Sequence, residues 1–350
     1  MKLHGLTAMA SFSAGSRSLP WSGIPPEGHS STPSRVWPSG CGVKVMKIKL
    51  ETKIGKLKIK NPVMAASGTW GAEYSELSDV DRLGAIVLKT ITLNARTGNP
   101  PPRVAETASG MLNSIGLENK GAEDFIENKL PLFRPVEAAV IASVAGDGEA
   151  EFKELAKRLS GIKRIDAIEL NLSCPNIRYG LSEGLIAHSE KATYRVVKAV
   201  RASTRKTIIA KLSPNVTDIA AVAAAAESAG ADAVAVNNTF IGMAVDAETR
   251  RPKLGNVTGG LSGPAIKPLS LRAVWEVSKK IGIPIIGVGG IMNCKDAVEF
   301  ILAGASAVQV GTANFVDPAI PSEIVKGLEV YCKKHRIDDI SSLVGAIKLG

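Results

Sequence analysis

Eight short apolar runs alternate with helical stretches along most of the chain, and this alternation constrains the fold more than any other feature. Each run is rich in β-branched or small residues and ends near a polar residue or a glycine. The runs are Pro62–Ala66, Ala85–Lys89, Ala138–Val144, Ala167–Asn171, Thr207–Leu212, Ala231–Asn237, Ile283–Val288 and Ala305–Val310. Helical patterns lie between most of them, at Glu151–Leu159, Lys191–Ala202, Ile219–Ala229, Leu269–Ile281 and Cys294–Ala303.

Strands that are apolar on both faces and alternate with helices are typical of parallel sheets. Eight such units in about 250 residues predict an α/β protein with a closed (β/α)8 or TIM barrel. An open, doubly wound sheet is the alternative, but it usually has fewer strands and a G-x-G-x-x-G fingerprint, which this sequence does not contain. Before the barrel, Lys47–Leu50 and Leu57–Ile59 flank a turn-like Lys53–Lys56 and predict a short β-hairpin.

The first 45 residues differ in composition from the rest of the chain. They are rich in Ser, Gly and Pro, Glu27 is their only acidic residue, and they show no helical or alternating period. We expect residues 1–45 to be a disordered extension, or a spurious one if translation starts at Met46. A transit peptide is the alternative, but the segment has only two arginines, Arg17 and Arg35. Residues 46–350 are then the catalytic barrel domain, and we expect it to function without the extension.

Composition excludes several classes of protein. No apolar run reaches the roughly 18 residues that a membrane helix needs, so we predict no membrane association. The four cysteines, Cys41, Cys174, Cys294 and Cys332, are far apart, which argues against a disulfide framework, an iron–sulfur cluster or a metal site on this chain. We expect a cytoplasmic protein with reduced thiols. The net charge is +10, but the basic residues are scattered without an aromatic platform, so we predict no nucleic-acid interface.

Polar residues cluster at the carboxyl ends of the predicted strands, where TIM barrels build their active sites. They are Ser67, Lys89, Thr90, Asn171, Lys211, Asn237, Asn238, Thr239, Gly289, Gly290, Gly311 and Thr312. A buried Lys, Asn or Ser costs free energy unless it meets a partner. A single polar residue at the end of a strand is explained by a hydrogen bond within the protein. Polar residues at the ends of many strands that meet at one face predict a bound polar ligand.

Glycines follow the last two predicted strands, at Gly289–Gly290 and at Gly311–Thr312. Barrels commonly hold phosphate in these two loops, where backbone N–H groups are unobstructed by side chains. Gly259–Gly263, after the sixth strand, is a further candidate for a close approach of the backbone. The glycine pattern therefore predicts a ligand that carries a phosphate.

The segment Asn171–Asn176 places the thiol of Cys174 in a polar loop just beyond a strand. A thiol there can serve as a base or as a nucleophile. No histidine is near it in the sequence, so a Cys–His hydrolase pair is poorly supported. Cys294 and Cys332 lie in helical patterns and are predicted to be packing residues.

From about Met46 to its C-terminus, the chain resembles the class 1 dihydroorotate dehydrogenases. The resemblance is carried by motifs that occur in order: Asn61–Thr69, Leu88–Thr90, Asn113–Leu117, Asn171–Asn176, Lys211–Asn215, Asn238–Met243 and Leu261–Pro268. It implies an FMN flavoprotein that oxidises (S)-dihydroorotate to orotate in de novo pyrimidine biosynthesis. Cys174 would remove the C5 proton of the substrate, and FMN N5 would accept the C6 hydride.

The resemblance also implies binding roles for individual residues. The substrate would be bound by Lys89, Asn113, Ser114, Ile115, Gly116, Leu117, Asn171, Asn238 and Thr239. FMN would be bound by Ser67, Lys89, Thr90, Ser143, Asn171, Lys211, Asn237, Gly263, Gly289, Gly290, Gly311 and Thr312. Lys211 would face the N1–C2 edge of the flavin, where a cation favours the reduced state. Two of these residues depart from the family: Ser143 replaces a frequent Asn, and Asn237 replaces an apolar residue.

The loop around position 174 indicates the subclass. Cysteine at this position is similar to class 1, whereas the membrane-associated class 2 enzymes have serine. Ile177–Gly180 resembles the NAD-linked class 1B loop, and the Pro-Gly-Lys-Pro of the fumarate-linked class 1A is not present. Class 1B implies a partner subunit that carries FAD and a [2Fe–2S] cluster, in a heterotetramer built on a homodimer of this chain.

Three other readings remain as alternatives to class 1B. They are a class 1A enzyme, another FMN barrel such as a tRNA dihydrouridine synthase, and a barrel without redox activity that binds a phosphosugar or acts as a binding protein. The tRNA enzyme needs an additional RNA-binding region, for which this sequence leaves no domain.

Overall fold

The computed structural model describes residues 48–72, 76, 79–173 and 186–350. The predicted extension 1–45, the first residue of the predicted strand Lys47–Leu50 and the predicted base Cys174 lie outside these residues. The part that contains the barrel is one compact unit, Met46–Gly350.

The strands, in chain order, are β1 (Thr52–Ile54), β2 (Leu57–Ile59), β3 (Val63–Ala65), β4 (Ala85–Val87), β5 (Val104–Thr107), β6 (Gly110–Asn113), β7 (Ala139–Val144), β8 (Ala167–Asn171), β9 (Thr207–Lys211), β10 (Ala233–Val236), β11 (Phe240–Met243), β12 (Val245–Asp246), β13 (Arg251–Pro252), β14 (Thr258–Ser262), β15 (Ile285–Val288) and β16 (Ala307–Val310). The α-helices are α1 (Gly121–Asp124), α2 (Glu149–Ser160), α3 (Glu190–Arg201), α4 (Ile219–Ser228), α5 (Lys267–Ser278), α6 (Cys294–Leu302), α7 (Ala313–Val316) and α8 (Ile320–His335). Shorter helical turns occupy Val80–Arg82, Phe125–Lys129, Leu130–Phe133, Ile186–His188, Pro264–Ile266 and Ile340–Leu343.

Eight parallel strands close a barrel in the order β3, β4, β7, β8, β9, β10, β15 and β16, and β16 pairs back onto β3. Each of these strands lies within one of the eight predicted apolar runs, so the predicted TIM barrel is confirmed. The five predicted helices correspond to α2–α6 and differ from them only at their ends. Helices α3, α4 and α6 begin after Ser189, Asp218 and Asn293, whose side chains accept a hydrogen bond from a backbone N–H of the first turn.

The barrel strands bury both faces, in two separate apolar cores. The outer faces pack against the helices, and the inner faces form a core inside the barrel. The interior apolar residues on the strands include Met64, Val87, Ile141, Ala167, Ile209, Ala235, Ile286 and Ala307. Because side chains alternate along a strand, Glu169 and Asn171 follow Ala167 on the interior face of β8. The interior therefore changes from apolar to polar toward the carboxyl ends of the strands.

The hairpin before the barrel forms, but one residue range was predicted incorrectly. The strands are Thr52–Ile54 and Leu57–Ile59, joined by a two-residue turn in which Gly55 has φ +58°. The predicted first strand, Lys47–Leu50, is wrong. The left-handed glycine allows a turn of only two residues, which is tighter than the predicted turn Lys53–Lys56, so Thr52 and Lys53 belong to the first strand of the hairpin. Ile54 and Ile59 pack with the interior core and close the amino-terminal end of the barrel.

A small antiparallel sheet of β11, β14, β6 and β5 was not anticipated as secondary structure. Its strands come from two insertions, one between β4 and β7 and the other between β10 and β15, so both leave the carboxyl ends of barrel strands. Strand β14 contains Gly259 and Gly260, which favour a loop prediction. At Gly259 an added Cβ would lie 2.6 Å from the carbonyl oxygen of Asn113, so β14 and β6 approach each other closely there. The approach of this glycine segment to a ligand stays a prediction.

Within the described ranges, the helices offer no stretch with both the length and the apolar character needed to cross a membrane.

Candidate functional site

Hydroxyl and amide side chains at the carboxyl ends of the first four barrel strands form one hydrogen-bonded row. Ser67 Oγ donates to the carbonyl oxygen of Leu88 at 2.8 Å and lies 3.2 Å from Thr90 Oγ1. Thr90 Oγ1 lies 2.8 Å from Ser143 Oγ and accepts from Asn171 Nδ2 at 3.1 Å. Residues that are far apart in the sequence are therefore assembled by the barrel into one polar layer.

Asn238 extends this layer across the barrel from the end of β10. Its Nδ2 donates to Asn171 Oδ1 at 3.3 Å and to Ser173 Oγ at 3.0 Å, and its Oδ1 accepts from the backbone N–H of Thr239 at 2.8 Å. Ser173 is fully buried and adjoins Cys174 in the sequence. The network thus anchors the chain immediately before the predicted base.

A buried ion pair lies inside the barrel beside the polar layer. Lys211, whose backbone pairs with that of Asn171, has Nζ 3.6 Å from Glu169 Oε1. Lys211 Nζ also donates to Gln309 Oε1 at 3.1 Å, and Gln309 Nε2 donates to Glu169 Oε2 at 2.7 Å. Lys211 is 6% exposed, whereas Glu169 and Gln309 are fully buried. The site therefore has one lysine held by a carboxylate and an amide at the centre of the barrel.

The glycines predicted to hold a phosphate converge from three loops. An added Cβ at Gly290, where φ is +73°, would lie 2.8 Å from the carbonyl oxygen of Gly263 and from the backbone nitrogen of Lys267. At Gly263, where φ is +96°, an added Cβ would lie only 2.7 Å from the Cα of Gly110, and it would contact the Thr312 methyl group at 3.6 Å. Only glycine combines these conformations with so little space. The loops after β14, β15 and β16 therefore meet at one place.

A cluster of charged residues holds two of these loops together. Lys267 Nζ donates to Asp296 Oδ1 at 2.6 Å and to Glu299 Oε2 at 2.8 Å. Asp296 Oδ2 accepts from the backbone N–H of Met292, in the loop that follows Gly289 and Gly290. The hydrogen bond to Asp296, and then the one to Glu299, raises the pKa of the Lys267 ammonium. Because the pKa is raised, this stabilisation is present at neutral pH and is lost only above pH 10.5.

The predicted substrate segment Asn113–Leu117 lies at the small sheet and in the loop after β6. Asn113 Nδ2 lies 3.5 Å from the carbonyl oxygen of Gly260, and Ser114 is fully buried. Ile115 and Gly116 continue the loop to Leu117, which has a left-handed φ of +55°. A non-glycine residue in that conformation costs of order 1 kcal/mol and is found at functional sites. The segment is thus held in a defined conformation beside the Gly260 carbonyl.

Two predicted residues lie apart from the polar layer. Asn237 is buried, and its amide contacts Ser270 Oγ of α5 at 3.1 Å. The amide orientation that satisfies its neighbours turns the nitrogen toward the carbonyl oxygens of Val288 and Asn238, at 3.2 and 2.9 Å. Lys89 has an exposed side chain at the mouth of the barrel. The flavin contact of Asn237 and the ligand contacts of Lys89 stay predictions.

Sequence reasoning missed Glu169 and Gln309. Both interrupt a buried strand that begins with apolar or small residues, within Ala167–Asn171 and Ala307–Val310. Each lies at a position whose neighbours at i ± 2 point into the barrel. A charged or amide residue in a buried strand, at a position that faces the barrel interior, could have marked both as candidates. The hydrogen bond between the two side chains could not be predicted from the sequence.

Comparison with protein families gives one match that covers most of the chain. Residues 49–331 match the family model described as dihydroorotate dehydrogenase. The match includes all eight barrel strands and ends within α8. It also includes the polar layer and the glycine loops.

Individual relatives agree with this match. A protein of Trichlorobacter lovleyi is 52% identical over 306 residues, which cover 87% of this chain and 100% of that protein. One of Bacteroides thetaiotaomicron is 50% identical over 303 residues, 86% of this chain and 99% of that protein. Both are named dihydroorotate dehydrogenase B (NAD(+)), catalytic subunit.

A solved structure of an Eimeria tenella DHODH in complex with ferulenol is similar to this chain. The TM-score is 0.71 at 24% sequence identity, and the alignment covers 87% of this chain and 90% of that chain. At that identity the similarity supports the fold alone.

Proposed function

The chain belongs to the dihydroorotate dehydrogenase family, and from that premise we propose that it oxidises (S)-dihydroorotate to orotate in pyrimidine biosynthesis, as the catalytic subunit of an NAD-linked enzyme. The observation that carries the proposal is the polar layer, in which Thr90, Asn171 and Asn238 are joined by hydrogen bonds beside the buried Lys211. A small ring substrate that carries amide and carboxylate groups needs several directional donors and acceptors on rigid elements, and this layer supplies them from barrel strands.

The family is flavin-dependent, and we propose FMN as the flavin of this chain. The donor set fits it: Lys211 is a cation for the electron-rich edge of the ring, and the hydroxyls of Ser67, Thr90 and Ser143 can meet ring heteroatoms. The convergent loops at Gly263, Gly290 and Thr312 fit a phosphate, because they bring backbone from three loops to one place where N–H groups can donate to an anion. When bound, FMN supplies a hydride acceptor. Gly289, Gly311, Asn171, Lys89 and Asn237 complete the proposed FMN-binding set.

The substrate is proposed to lie between the polar layer and the small sheet. Asn171, Asn238 and Thr239 would bind it from the barrel side. Asn113, Ser114 and the loop to Leu117 would bind it from the sheet side, and Lys89 would add positive charge for its carboxylate. Asn215 supports this arrangement, because its Nδ2 donates to the carbonyl oxygen of Thr239 at 3.0 Å. Cys174 would take the C5 proton as the general base.

The final electron acceptor is proposed to be NAD, reached through a second subunit. The full sequence contains neither a dinucleotide fingerprint nor cysteines spaced for an iron–sulfur cluster. We propose that the partner carries FAD and a [2Fe–2S] cluster and assembles with a homodimer of this chain into a heterotetramer. Exposed apolar side chains on and next to the small sheet, Ile241, Met243 and Val245, support protein contacts at this end of the barrel. We further propose that residues 46–350 are the catalytic domain.

The first test is an absorbance scan of the purified chain followed by addition of dihydroorotate. We expect a yellow protein whose visible flavin absorbance is bleached by dihydroorotate under anaerobic conditions. A colourless protein would favour a non-redox barrel. A flavoprotein that dihydroorotate does not bleach, but that binds tRNA tightly and in a salt-sensitive manner, would favour a tRNA dihydrouridine synthase.

Lys267→Met is expected to weaken FMN binding about tenfold, which corresponds to about 1.4 kcal/mol. The substitution leaves the nearly buried Asp296 carboxylate without its cation, so the loop that contains Gly289 and Gly290 is held less firmly. FMN affinity is measured by flavin fluorescence quenching on titration of the apoprotein. Lys295→Met is the matched control, because it removes an exposed lysine that is adjacent in α6 to Asp296, the partner of Lys267. Equal FMN affinity in the two variants would contradict a role of the Lys267 cluster.

A further inference from the structure

Glu169 and Gln309 are buried polar residues for which the proposed reaction has no direct use. Gln309 uses both ends of its amide: Nε2 donates to Glu169, and Oε1 accepts from Lys211. Gln309 lies on β16, on the opposite wall of the barrel from β8 and β9, which carry Glu169 and Lys211. The three side chains therefore form a ring that spans the barrel interior, and the amide of Gln309 fixes where the lysine nitrogen lies.

This ring is not explained by stability. Removing a carboxylate and an ammonium from water is unfavourable, and replacing a buried ion pair by apolar residues of similar volume is often neutral or stabilising. The interior around the ring is built of such residues, including Ile209 and Ile286. A ring of charged and amide groups at this depth is therefore expected to have a functional reason.

The pairing within the ring is incomplete. Glu169 Oε1 is buried and accepts no hydrogen bond from the described residues, although Lys211 Nζ is 3.6 Å away. A lysine ammonium has three N–H donors, and Gln309 accepts one of them. Lys211 is thus held near its carboxylate at ion-pair distance while keeping donors for another acceptor.

On the basis of the proposed function, we propose that Glu169 and Gln309 are positioning residues that set the charge presented by Lys211 to the flavin. Gln309 fixes the lysine nitrogen, and the Glu169 carboxylate offsets part of its positive charge. The ion pair, rather than the lysine alone, then determines how strongly this side of the site favours the reduced flavin. Removing the negative charge should make the bound flavin easier to reduce, because reduction adds negative charge to it.

The test compares the midpoint potential of bound FMN in the parent, Glu169→Gln and Glu169→Asp, measured with redox dyes and without dihydroorotate. Glu169→Gln keeps the size and an acceptor for Gln309 but removes the charge. We expect it to raise the ratio of reduced to oxidised flavin about tenfold at a fixed ambient potential, which is about 30 mV for a two-electron couple. Glu169→Asp keeps the charge and should stay close to the parent. Glu154→Gln, on the exposed surface of α2, is the matched charge control and should cause no shift.

A purely structural role predicts the opposite order, because the shortened Asp disturbs the ring more than the isosteric Gln. A potential that is unchanged in Glu169→Gln, or shifted equally in Glu169→Asp, would overturn the proposal. If Glu169→Gln does not fold, the double variant with Lys211→Met should recover a folded chain, because no unpaired charge remains in the barrel. The double variant removes the cation and its carboxylate together, so the midpoint potential of its bound flavin should stay near that of the parent. A fall of more than about tenfold in the ratio of reduced to oxidised flavin, as expected if the lysine alone set the potential, would overturn the proposal. The potential is measured without substrate, so failure here is distinct from an absence of dihydroorotate oxidation, which would refute the proposed function.

Discussion

Cys174→Ala is expected to retain FMN but to be reduced by dihydroorotate about 10²–10⁴ times more slowly than the parent, the usual contribution of a general base. The substitution removes the group that accepts the C5 proton and leaves the polar layer intact. Ser173 next to it is anchored independently, through the hydrogen bond from Asn238 at 3.0 Å. The measurement is anaerobic stopped-flow bleaching of the flavin absorbance, with the flavin content of each preparation determined first.

Cys174→Ser is the matched variant for this experiment. It should keep part of the activity, with its optimum moved to higher pH, because an alcohol is a weaker acid than a thiol with a pKa of about 8.5. Unchanged orotate affinity in both variants would show that binding is preserved. Bleaching of the Ala variant at the rate of the parent would remove Cys174 from the role of base.

The isolated chain is expected to reduce artificial dyes with dihydroorotate as the electron donor but to reduce NAD at close to the background rate. The sequence provides neither a dinucleotide fingerprint nor a cluster of cysteines, so the chain alone has no route for electrons to NAD. Addition of a subunit that carries FAD and a [2Fe–2S] cluster should restore NAD reduction. The measurement is NADH formation at 340 nm with and without that subunit, with dye reduction as the control for an active catalytic chain.

Two outcomes would contradict this electron path. Efficient NAD reduction by the pure single chain would show that no partner is needed. Strong activity with fumarate as the only acceptor would assign the chain to class 1A. The size of the reconstituted complex, measured by light scattering, tests the heterotetramer separately from its activity.

The barrel could be predicted because the apolar pattern of each strand is contained within a few consecutive residues. Parallel strands that are buried on both faces must be apolar along their whole length, so each of the eight runs, such as Ala138–Val144, is visible in a short window of sequence. The side chains at the strand ends were predictable for a related reason. Asn171 ends such a run, and Ser67, Thr90 and Asn238 each follow one. A closed barrel brings the carboxyl ends of all its strands to one face.

The remaining features depend on neighbours that are distant in the sequence. The small sheet pairs Gly260 with Asn113, and nothing near either residue indicates that contact. The contact between the amide of Asn237 and Ser270 joins residues 33 positions apart, and no local pattern indicates it. The hairpin register is the exception, because it depends on a local feature, the left-handed conformation of Gly55 within a run of alternating lysines.

The sequence by itself therefore determined the barrel, the face on which the site lies and most of the polar residues in it, because strand burial and side-chain alternation act over a few residues. Only the tertiary structure decided which side chains meet across the interior. Glu169 and Gln309 are 140 residues apart, yet their side chains hydrogen-bond at 2.7 Å. That contact exists only because closure of the barrel places β8 opposite β16, with the buried lysine between them.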